Sequence, residues 1–393
     1  MDFKLTPCEE KLVLPHSKNS VTIGLPAEDG VGDTRVPLTP QGVEILVAQG
    51  HRVLAQRGLG IAARFSDESY ANAGAEIVDS ADAAFKADIV VKVSPPSEGQ
   101  SELVRKGQTF VCLINRNVAD VRAFRRLAEK KVTLVAADVM TDGESSEPVM
   151  SRSLGEVEGA LAVTTAAHLL EQSDGGKGVI IGGVTGVPPT EVAIIGADTA
   201  AISAARAAAA LGANVKVFDT SHSLLQKLEW KMSSHVFTSV LHPQALTKAL
   251  KSADVIIGTR HANSGRQYFC VPAGYLSLLK HGAVIIDLDI VAGGRTELSL
   301  PTTVDEPVLR SRGLFFHCLP DITALVPHTA SIIISDIISP ALSQIATDGG
   351  VENAARLNPS VASSIAMFRG TVTNKDLSVR TGLEYVDARL LLI

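Results

Sequence analysis

Short apolar runs alternate with longer stretches of helical pattern along most of the chain. The run EVAII, residues 191–195, is rich in β-branched residues, which is typical of a parallel strand buried on both faces. Gly196 follows it, and an Ala-rich stretch of about a dozen residues then predicts a helix that Gly212 closes. The run NVKVF, residues 214–218, predicts a second buried strand with Asp219 at its carboxyl end. This order of strand, glycine turn, helix and strand predicts a parallel βαβ unit.

The spacing of glycine and acid in this unit matches dinucleotide-binding folds. There, an acidic residue about 20 positions after the glycine turn binds a ribose 2′-hydroxyl, a role that Asp219 fits. An ordinary βαβ unit with an acid at this position by chance is the alternative. The fingerprint G-x-G-x-x-G/A begins at Gly196, with Asp198 at its third position and Ala201 at its sixth. Because Asp198 is an anion at a helix N-terminus, it is also a candidate N-cap that fills the phosphate site with its own carboxylate.

The alternation of apolar runs and helical patterns extends to both sides of this unit. It predicts an α/β fold, with mostly parallel sheets and helices on their faces. The last long helix is expected to cross back to the first part of the chain, with the remaining tail covering it. The predicted elements include a strand at 21–28, a helix at 41–49, a Gly/Pro-rich loop with a short strand at 174–191, and long helices at 155–172 and 331–349.

Composition narrows the class of protein. Among 393 residues, 46% are hydrophobic and 4% aromatic, so a large aliphatic core is available. The net charge of −6 argues against nucleic acid or an anionic membrane as the main partner. No uncharged apolar run is long enough to cross a bilayer, and no secretory signal is visible. The cysteines lack metal or disulfide spacing and predict reduced thiols in a cytoplasmic protein; they are Cys8, Cys112, Cys270 and Cys318.

Several stretches together resemble the alanine dehydrogenase and NAD(P) transhydrogenase α-subunit family, from one end of the chain to the other. They read IGLPAEDGVGDTRVPLTPQGVEILVAQGH, ADIVVKVSPP, GGKGVIIGGVTGVPPTEVAIIGA, GAVIIDLDIVAGG and HTASIIIS. The resemblance implies two Rossmann-like, doubly wound α/β domains with a cleft between them. The substrate domain would be discontinuous, at 1–154 and 332–393, with an NAD-binding domain at 155–331 inserted. Members of the family are commonly homo-oligomers, and the resemblance to the alanine dehydrogenases implies a small amino acid or 2-oxo acid as substrate.

The resemblance carries several functional positions onto this chain. Arg35 falls on the arginine that binds the substrate carboxylate, and an arginine fork suits a bidentate carboxylate. A surface arginine is the alternative reading. Lys92 falls on the first lysine of a KVKEP-like strand end. Asp219 falls on the ribose-binding acid and favours NAD over NADP, since no arginine directly follows it. Asp321 replaces an asparagine of alanine dehydrogenases, in a region where transhydrogenases have an acid.

Other positions depart from the family pattern. Ser94 stands where alanine dehydrogenases have a second lysine, which transhydrogenases also lack. Ile114 stands at the catalytic histidine position, within about one residue of register, and Asn115 and Arg116 are the nearest polar substitutes. General acid–base assistance is typically worth ~10²–10⁴-fold in rate, so losing the histidine need not abolish activity but should lower it severely.

The second part of the chain shows similar departures. Val291 stands at the catalytic aspartate position. Asp289, two residues earlier and on the same face of a strand by the period-two rule, is a candidate substitute. Gly155 stands where a serine that contacts the cofactor is usual.

A basic loop and a Cys/His pair are further candidate features. Arg260, His261 and Arg266 follow a predicted strand end, where ligands bind in such sheets, so an anion site or a solvated loop is expected there. His317 and Cys318 point to opposite faces of a strand, which argues against a nucleophilic dyad.

Two hypotheses on function follow from these residues. The first is an NAD-linked oxidoreductase, with Arg35 and Lys92 holding the substrate carboxylate and Asp219 the ribose. The second is a catalytically degenerate relative that serves as a nucleotide-binding or regulatory protein, motivated by Asp198 and the departures just described.

Overall fold

Two doubly wound sheets organise the computed structural model, which describes residues 20–29, 32–116, 120–142, 147–233, 236–259 and 269–392. In chain order the strands are β1 Thr22–Leu25, β2 Arg52–Gln56, β3 Glu76–Val78, β4 Ile89–Val91, β5 Thr109–Cys112, β6 Thr133–Ala136, β7 Glu191–Ile195, β8 Asn214–Asp219, β9 Phe237–Val240, β10 Val255–Gly258, β11 Val284–Asp287, β12 Leu309–Ser311, β13 Leu314–His317, β14 Ile365–Phe368 and β15 Thr371–Val372.

Helices connect most of these strands. They are α1 Pro40–Ala48, α2 Asp67–Asn72, α3 Ala81–Phe85, α4 Glu98–Leu103, α5 Val121–Glu129, α6 Val149–Leu170, α7 Thr199–Ala210, α8 His222–Lys231, α9 Pro243–Ser252, α10 Ala273–Leu276, α11 Pro327–Thr347, α12 Val351–Leu357, α13 Pro359–Ser364 and α14 Lys375–Thr381.

Both sheets have the strand order of dinucleotide-binding folds. The first runs β15-β14-β6-β5-β4-β1-β2-β3, and the second runs β12-β13-β11-β10-β7-β8-β9. The six parallel strands within each follow the order 3-2-1-4-5-6, which reverses direction between β1 and β4 and between β7 and β10. The predicted pair of Rossmann-like, doubly wound units is therefore confirmed. Ligands of such sheets bind at these reversal points, beyond the carboxyl ends of the strands.

The C-terminal tail does more than cover α11, because it enlarges the first sheet. β14 pairs antiparallel with β6, and β15 pairs antiparallel with β14. These two strands were not predicted from the sequence, and they have only four and two residues. Residues 365–372 thus belong to the same sheet as the strands near the N-terminus.

Helix α11 packs its apolar face into the core of the first sheet. Ile334, Ile338, Leu342 and Ile345 are each at most 1% exposed and lie in that core. Among the described residues, α11 is the one helix long and apolar enough to cross a membrane by length and composition, and half of its most apolar window is buried. This burial is the pattern of a core helix.

Helices α6 and α7 approach closely because glycine lies at their contact. A Cβ on Gly159 would lie 2.2 Å from the carbonyl oxygen of Ala200 and 2.6 Å from the backbone nitrogen of Ala204. A Cβ on Gly155, one turn earlier, would lie 3.3 Å from the backbone nitrogen of Ala200. The position that would carry a cofactor-contacting serine is thus a helix contact in this chain.

Several predicted elements differ in extent from the observed ones. The helix expected at 155–172 begins earlier, at Val149, and the helix expected at 331–349 spans Pro327–Thr347. The strand expected within 174–191 is reduced to an isolated bridge between Val184 and Val187. Propensity alone does not fix such ends, because capping and tertiary packing decide them.

Replacing Gly159 by Ala is expected to lower the free energy of unfolding by about 1–3 kcal/mol, because the added methyl overlaps backbone atoms that cannot move aside easily. Urea denaturation of both proteins measures the change. Gly274 in α10 is the matched control, since a Cβ there meets nothing within 4 Å. Gly274→Ala should leave stability unchanged or raise it by about 0.5–1 kcal/mol. Equal effects at the two positions would contradict the close contact of α6 with α7.

Candidate active site

The carboxyl ends of the two sheets meet at one site, where ion pairs join them. From the first sheet, Arg35 follows β1, Lys92 directly follows β4, and Arg116 follows β5. From the second, Asp321 follows β13. The 2.6 Å contact between Arg35 Nη1 and Asp321 Oδ2 links the two sides.

Arg35 is a buried guanidinium that contacts carboxylates from both sides of the site. Its Nε and Nη2 donate to the Asp33 carboxylate at 2.9 and 2.7 Å, which is a bidentate contact. Its Nη1 donates to Asp321 at 2.6 Å and to the Thr323 hydroxyl at 2.8 Å. Although burial disfavours the charged form, Asp321 and Asp33 raise the pKa of Arg35 above its usual range. Arg35 is therefore not a surface arginine, and its fork is held by the protein's own carboxylates.

Lys92 lies buried where the first sheet reverses its strand order. Its Nζ is 2.9 Å from Asp29 Oδ1 and 3.4 Å from Glu28 Oε2. It also donates to the side-chain oxygen of Gln100. The Lys92 side chain is inaccessible to solvent, so two acids stabilise its charge in place of water.

Glu28 joins the Lys92 and Arg35 clusters. Its carboxylate accepts from the backbone nitrogens of Val93 at 2.7 Å and Ser94 at 3.3 Å, and the Ser94 hydroxyl donates to Asp33 at 3.1 Å. Burial raises the pKa of Glu28 to about 7, against the opposing effect of Lys92. Glu28 can therefore exchange a proton near neutral pH.

Ile114 stands at the position where the resemblance implies a catalytic histidine, and this position is part of the core. Ile114 is inaccessible to solvent. Its backbone nitrogen and that of Asn115 donate to the buried Asp138 carboxylate at 3.0 and 2.7 Å. Arg380 donates to the Ile114 carbonyl at 2.8 Å and to the Asn115 side chain at 3.1 Å. These contacts fix the chain at the end of β5. Arg116 is then the charged residue that this end of β5 contributes to the interdomain site.

Arg116 is the second arginine that bridges the two sheets. It donates through Nη1 to the Glu158 carboxylate, on α6, and the same nitrogen lies 3.4 Å from Asp321 Oδ2. All three side chains are at most 3% exposed. The Arg116 pair therefore ties β5 to the long helix that leads into the second sheet.

Asp289 lies in a turn rather than on a strand. β11 ends at Asp287, and a 3₁₀ turn begins at Ile290, so the period-two argument that put Asp289 and Val291 on one strand face is wrong. Asp289 is 4% exposed, with Arg295 Nε 3.4 Å from its Oδ2. It remains at the carboxyl edge of the second sheet.

Gly196 makes the tight turn with which the fingerprint begins. Gly196 has φ of +116°, and a Cβ there would lie 2.2 Å from the Thr259 hydroxyl oxygen. Only glycine fits this conformation without strain. Asp198 is the N-cap of α7, because its Oδ1 accepts from the backbone nitrogen of Ala201 at 2.9 Å. The predicted occupation of the helix N-terminus by Asp198 is confirmed.

Asp198 lies among other acids. Burial raises the pKa of Asp198 to about 7, against the opposing effects of the Ala201 N–H and the Thr259 hydroxyl. The neighbouring charges of Glu158 and Glu147 raise it further. Asp198 therefore takes up a proton far more readily than an ordinary aspartate near neutral pH.

Asp219 ends β8, beside the glycine turn. It is half-buried, and its Oδ1 accepts from the backbone nitrogen of Ser221 at 2.7 Å. Asp219 thus lies at the carboxyl edge of the strand next to β7, where a ribose-binding acid is expected.

Glu28, Asp33 and Glu158 are among the acidic partners in the site that were not singled out from the sequence. Local signals existed for each of them. Glu28 ends the first predicted strand region, and Asp33 lies two residues before Arg35. Glu158 interrupts a buried face of small and apolar residues on α6. The predicted loop of Arg260, His261 and Arg266 lies outside the described residues, as do Cys8 and the N-terminal segment 1–19.

Comparison with known proteins identifies relatives over nearly the whole chain. The family models "Alanine dehydrogenase/PNT, N-terminal domain" and "Alanine dehydrogenase/PNT, C-terminal domain" match residues 24–153 and 162–375. Alanine dehydrogenase of Mycolicibacterium smegmatis is 32% identical over 367 residues, covering 93% of this chain and 98% of the relative. Alanine dehydrogenase of Methanococcus maripaludis is 30% identical over 368 residues, covering 93% and 98%.

Solved structures of similar proteins have the same fold as this chain. An L-alanine dehydrogenase matches with a TM-score of 0.82 and 28% identity, covering 95% of this chain and 100% of that one. A transhydrogenase from Sinorhizobium meliloti matches with a TM-score of 0.73 and 20% identity, covering 90% and 99%, and supports the fold alone.

The raised pKa of Asp198 predicts how stability depends on pH. The folded protein binds this proton more tightly than the unfolded chain, so the contribution of Asp198 to stability is lost as pH rises from about 4 to above 7. Asp198→Asn keeps the N-cap and mimics the protonated form. The variant should match the wild type near pH 4 and become more stable than it at pH 8, as urea midpoints would show.

Asp120, the partly exposed N-cap of α5, is a matched control for this prediction. Hydrogen bonds from the Arg122 side chain lower the pKa of Asp120, so Asp120→Asn should lose stability relative to the wild type as pH rises. If Asp198→Asn showed the same difference from wild type at pH 4 and pH 8, the protonation of Asp198 in the folded state would be refuted.

Proposed function

The chain belongs to the alanine dehydrogenase/PNT family of oxidoreductases, and we propose that it is an NAD-linked oxidoreductase acting on a small amino acid or 2-oxo acid. One observation carries the proposal. Buried cationic groups at the carboxyl edge of the first sheet meet the carboxyl edge of a second sheet that has the dinucleotide-binding order, and the contact of Arg35 with Asp321 joins them. Such an arrangement can bring a carboxylate substrate against a nicotinamide.

The second sheet offers the features of an NAD site, with one condition. Gly196 keeps the turn after β7 free of a side chain, and Asp219 lies where a ribose hydroxyl would bind. Asp219 also favours NAD over NADP, because its carboxylate would repel the 2′-phosphate of NADP. The diphosphate would approach the N-terminus of α7, which the Asp198 carboxylate already caps. The residues fit NAD when Asp198 is protonated, as its pKa of about 7 allows near neutral pH.

Arg35 and Lys92 are proposed to hold the substrate on the first sheet. Asp33 occupies Nε and Nη2 of Arg35, so Nη1, now bound by Asp321 and Thr323, is the donor that a substrate carboxylate would take over. Lys92 would complete the anion site from the neighbouring strand. When bound, NAD would supply the hydride acceptor or donor.

Proton transfer needs a group that titrates near neutral pH in place of the missing histidine. Glu28 has this property and lies 3.4 Å from Lys92. Asp289, at the opposite edge, is the proposed carboxylate on the cofactor side. Neither residue is proposed to act alone, because Glu28 lies against Lys92 and Asp289 lies against Arg295.

Further properties are proposed on the same basis. The substrate domain comprises 1–154 and 332–393 and the NAD-binding domain 155–331, so that the boundaries fall inside α6 and α11. Described cysteines are free thiols, in line with a cytoplasmic location; they are Cys112, Cys270 and Cys318. The protein is proposed to form a homo-oligomer.

Titration with NADH, followed by nicotinamide fluorescence, tests the function. Binding at micromolar concentrations, and NADH oxidation with at least one of a panel of 2-oxo acids plus ammonia, is expected. No binding of NADH or NADPH at millimolar concentration would rule out the oxidoreductase and favour a role without nicotinamide.

Replacing Asp198 by Gly should tighten NADH binding at pH 8 by roughly 10-fold or more, because it removes a like charge from the diphosphate site. Glycine remains an acceptable N-cap, so the helix should persist. The gain should shrink at pH 6, where the wild-type carboxyl is mostly protonated. Equal affinity of wild type and variant at pH 8 would refute the blocking role of Asp198.

The Gly/Pro-rich loop before β7 is the proposed contact between copies of the chain. Its apolar side chains are exposed, Ile180 by 66%, Val184 by 52% and Val187 by 59%. Replacing Val184 and Val187 by Ser should lower the mass measured by sedimentation. Val379→Ser, at an 85% exposed position on α14, is the control that should leave the mass unchanged. An unaltered mass in the double variant would exclude this loop as the interface.

A further inference from the structure

We propose that Arg116 binds an oxyanion of the ligand in the interdomain site, through the Nη2 end of its guanidinium. The inference deepens the proposed function, on which it rests for the ligands expected in this site. The oxyanion is either the carboxylate of the substrate or the diphosphate of the dinucleotide. Both offer the same chemistry to an arginine, namely negatively charged oxygens that accept paired N–H donors.

The first observation is an unsatisfied donor. Arg116 is 3% exposed, and its Nη2 is buried without a hydrogen-bond partner among the described residues. Leaving a buried charged donor unpaired is costly, and such groups are rare in folded proteins. A guanidinium anchored through Nη1 and unpaired at Nη2 is arranged to receive an additional acceptor.

Arg35 provides the contrast within the same site. Its Nε, Nη1 and Nη2 all donate to acceptors of the chain, with Asp33 filling the bidentate edge. A ligand can reach Arg35 only by displacing an internal carboxylate. Arg116 still has donors to offer without such an exchange, so it is better suited than Arg35 to the first contact with an anion.

The position of Arg116 places it between the two halves of the site. It follows β5 on the substrate side, and it contacts Asp321, which also contacts Arg35. Its partner Glu158 lies on α6, close enough to Asp198 at the N-terminus of α7 to raise the pKa of Asp198. Arg116 is therefore linked to both anion positions through these carboxylates.

Glu158 affects how strongly Arg116 would bind the ligand oxyanion. It is 1% exposed and holds Arg116 through Nη1, so it orients the guanidinium but also neutralises part of its charge. A ligand oxyanion competes with Glu158 for this charge. Glu158→Gln should therefore tighten anion binding, whereas loss of a purely structural ion pair would lower stability without changing affinity.

Calorimetric titration with two probes tests the proposal. Pyruvate represents the carboxylate, and ADP-ribose carries the diphosphate without the nicotinamide. The main variant is Arg116→Met combined with Glu158→Met, since removing the arginine alone would leave a buried unpaired carboxylate. It should weaken one of the probes by about 10- to 100-fold, as expected for a lost charged hydrogen bond, and the affected probe identifies the oxyanion.

Three further variants make the result specific. Arg116→Lys keeps the charge but not the fork, and should weaken the same probe by less than the double variant. Glu158→Gln should tighten it. Arg122→Met, at an arginine on α5 whose side chain is 70% exposed, should leave both affinities unchanged. Unfolding curves of every variant confirm that the protein compared is folded.

The outcomes separate this inference from the proposed function. Unchanged affinity for both probes in the folded double variant overturns the role of Arg116, even if the wild type oxidises NADH. Failure of the wild type to bind either probe overturns it as well. If a probe binds and depends on Arg116 but no 2-oxo acid supports NADH oxidation, the oxyanion site stands and the oxidoreductase proposal fails.

Discussion

Buried arginines paired with carboxylates hold the carboxyl edges of the two sheets together. Arg35 contacts Asp33 on its own side and Asp321 on the other, and Arg116 reaches Glu158 and Asp321. Burying these charges would be costly if they were unpaired, so each arginine needs its acids and each acid needs its arginine. The relative position of the two sheets depends on this mutual requirement, and so does the geometry of any ligand that binds between them.

The close contact of α6 with α7 connects these ion pairs to the second sheet. Gly159 lets α6 approach the backbone of α7, and Glu158 on the same turn reaches towards Arg116. Asp198 caps α7 at the other end of this contact, and burial, together with the charge of the nearby Glu158, raises its pKa to about 7. Gly159 and Glu158 on α6 thus connect three features of the structure. These are the protonation of Asp198, the packing of α6 against α7, and the interdomain ion pairs.

The site contains many buried acids, and these acids affect how an anionic ligand could bind. The first sheet holds Lys92 between Glu28 and Asp29, and the second has the Asp198 carboxylate at the N-terminus of α7. An anionic ligand would have to displace or neutralise internal carboxylates at these two positions, whereas Arg116 offers a donor without such an exchange. Binding would depend on pH through Glu28 and Asp198, whose pKa values burial raises to about 7.

The sequence by itself determined the fold class, the βαβ unit at Gly196 and the capping of its helix by Asp198, because apolar periodicity, glycine turns and caps act over a few residues. It also identified Arg35, Lys92, Asp219 and Asp321 as candidates. Only the tertiary structure decided which charges pair, since Arg35 and Asp321 are 286 residues apart in the chain. For the same reason β14 and the turn at Asp289 escaped prediction, because a sheet edge and a strand end depend on distant partners.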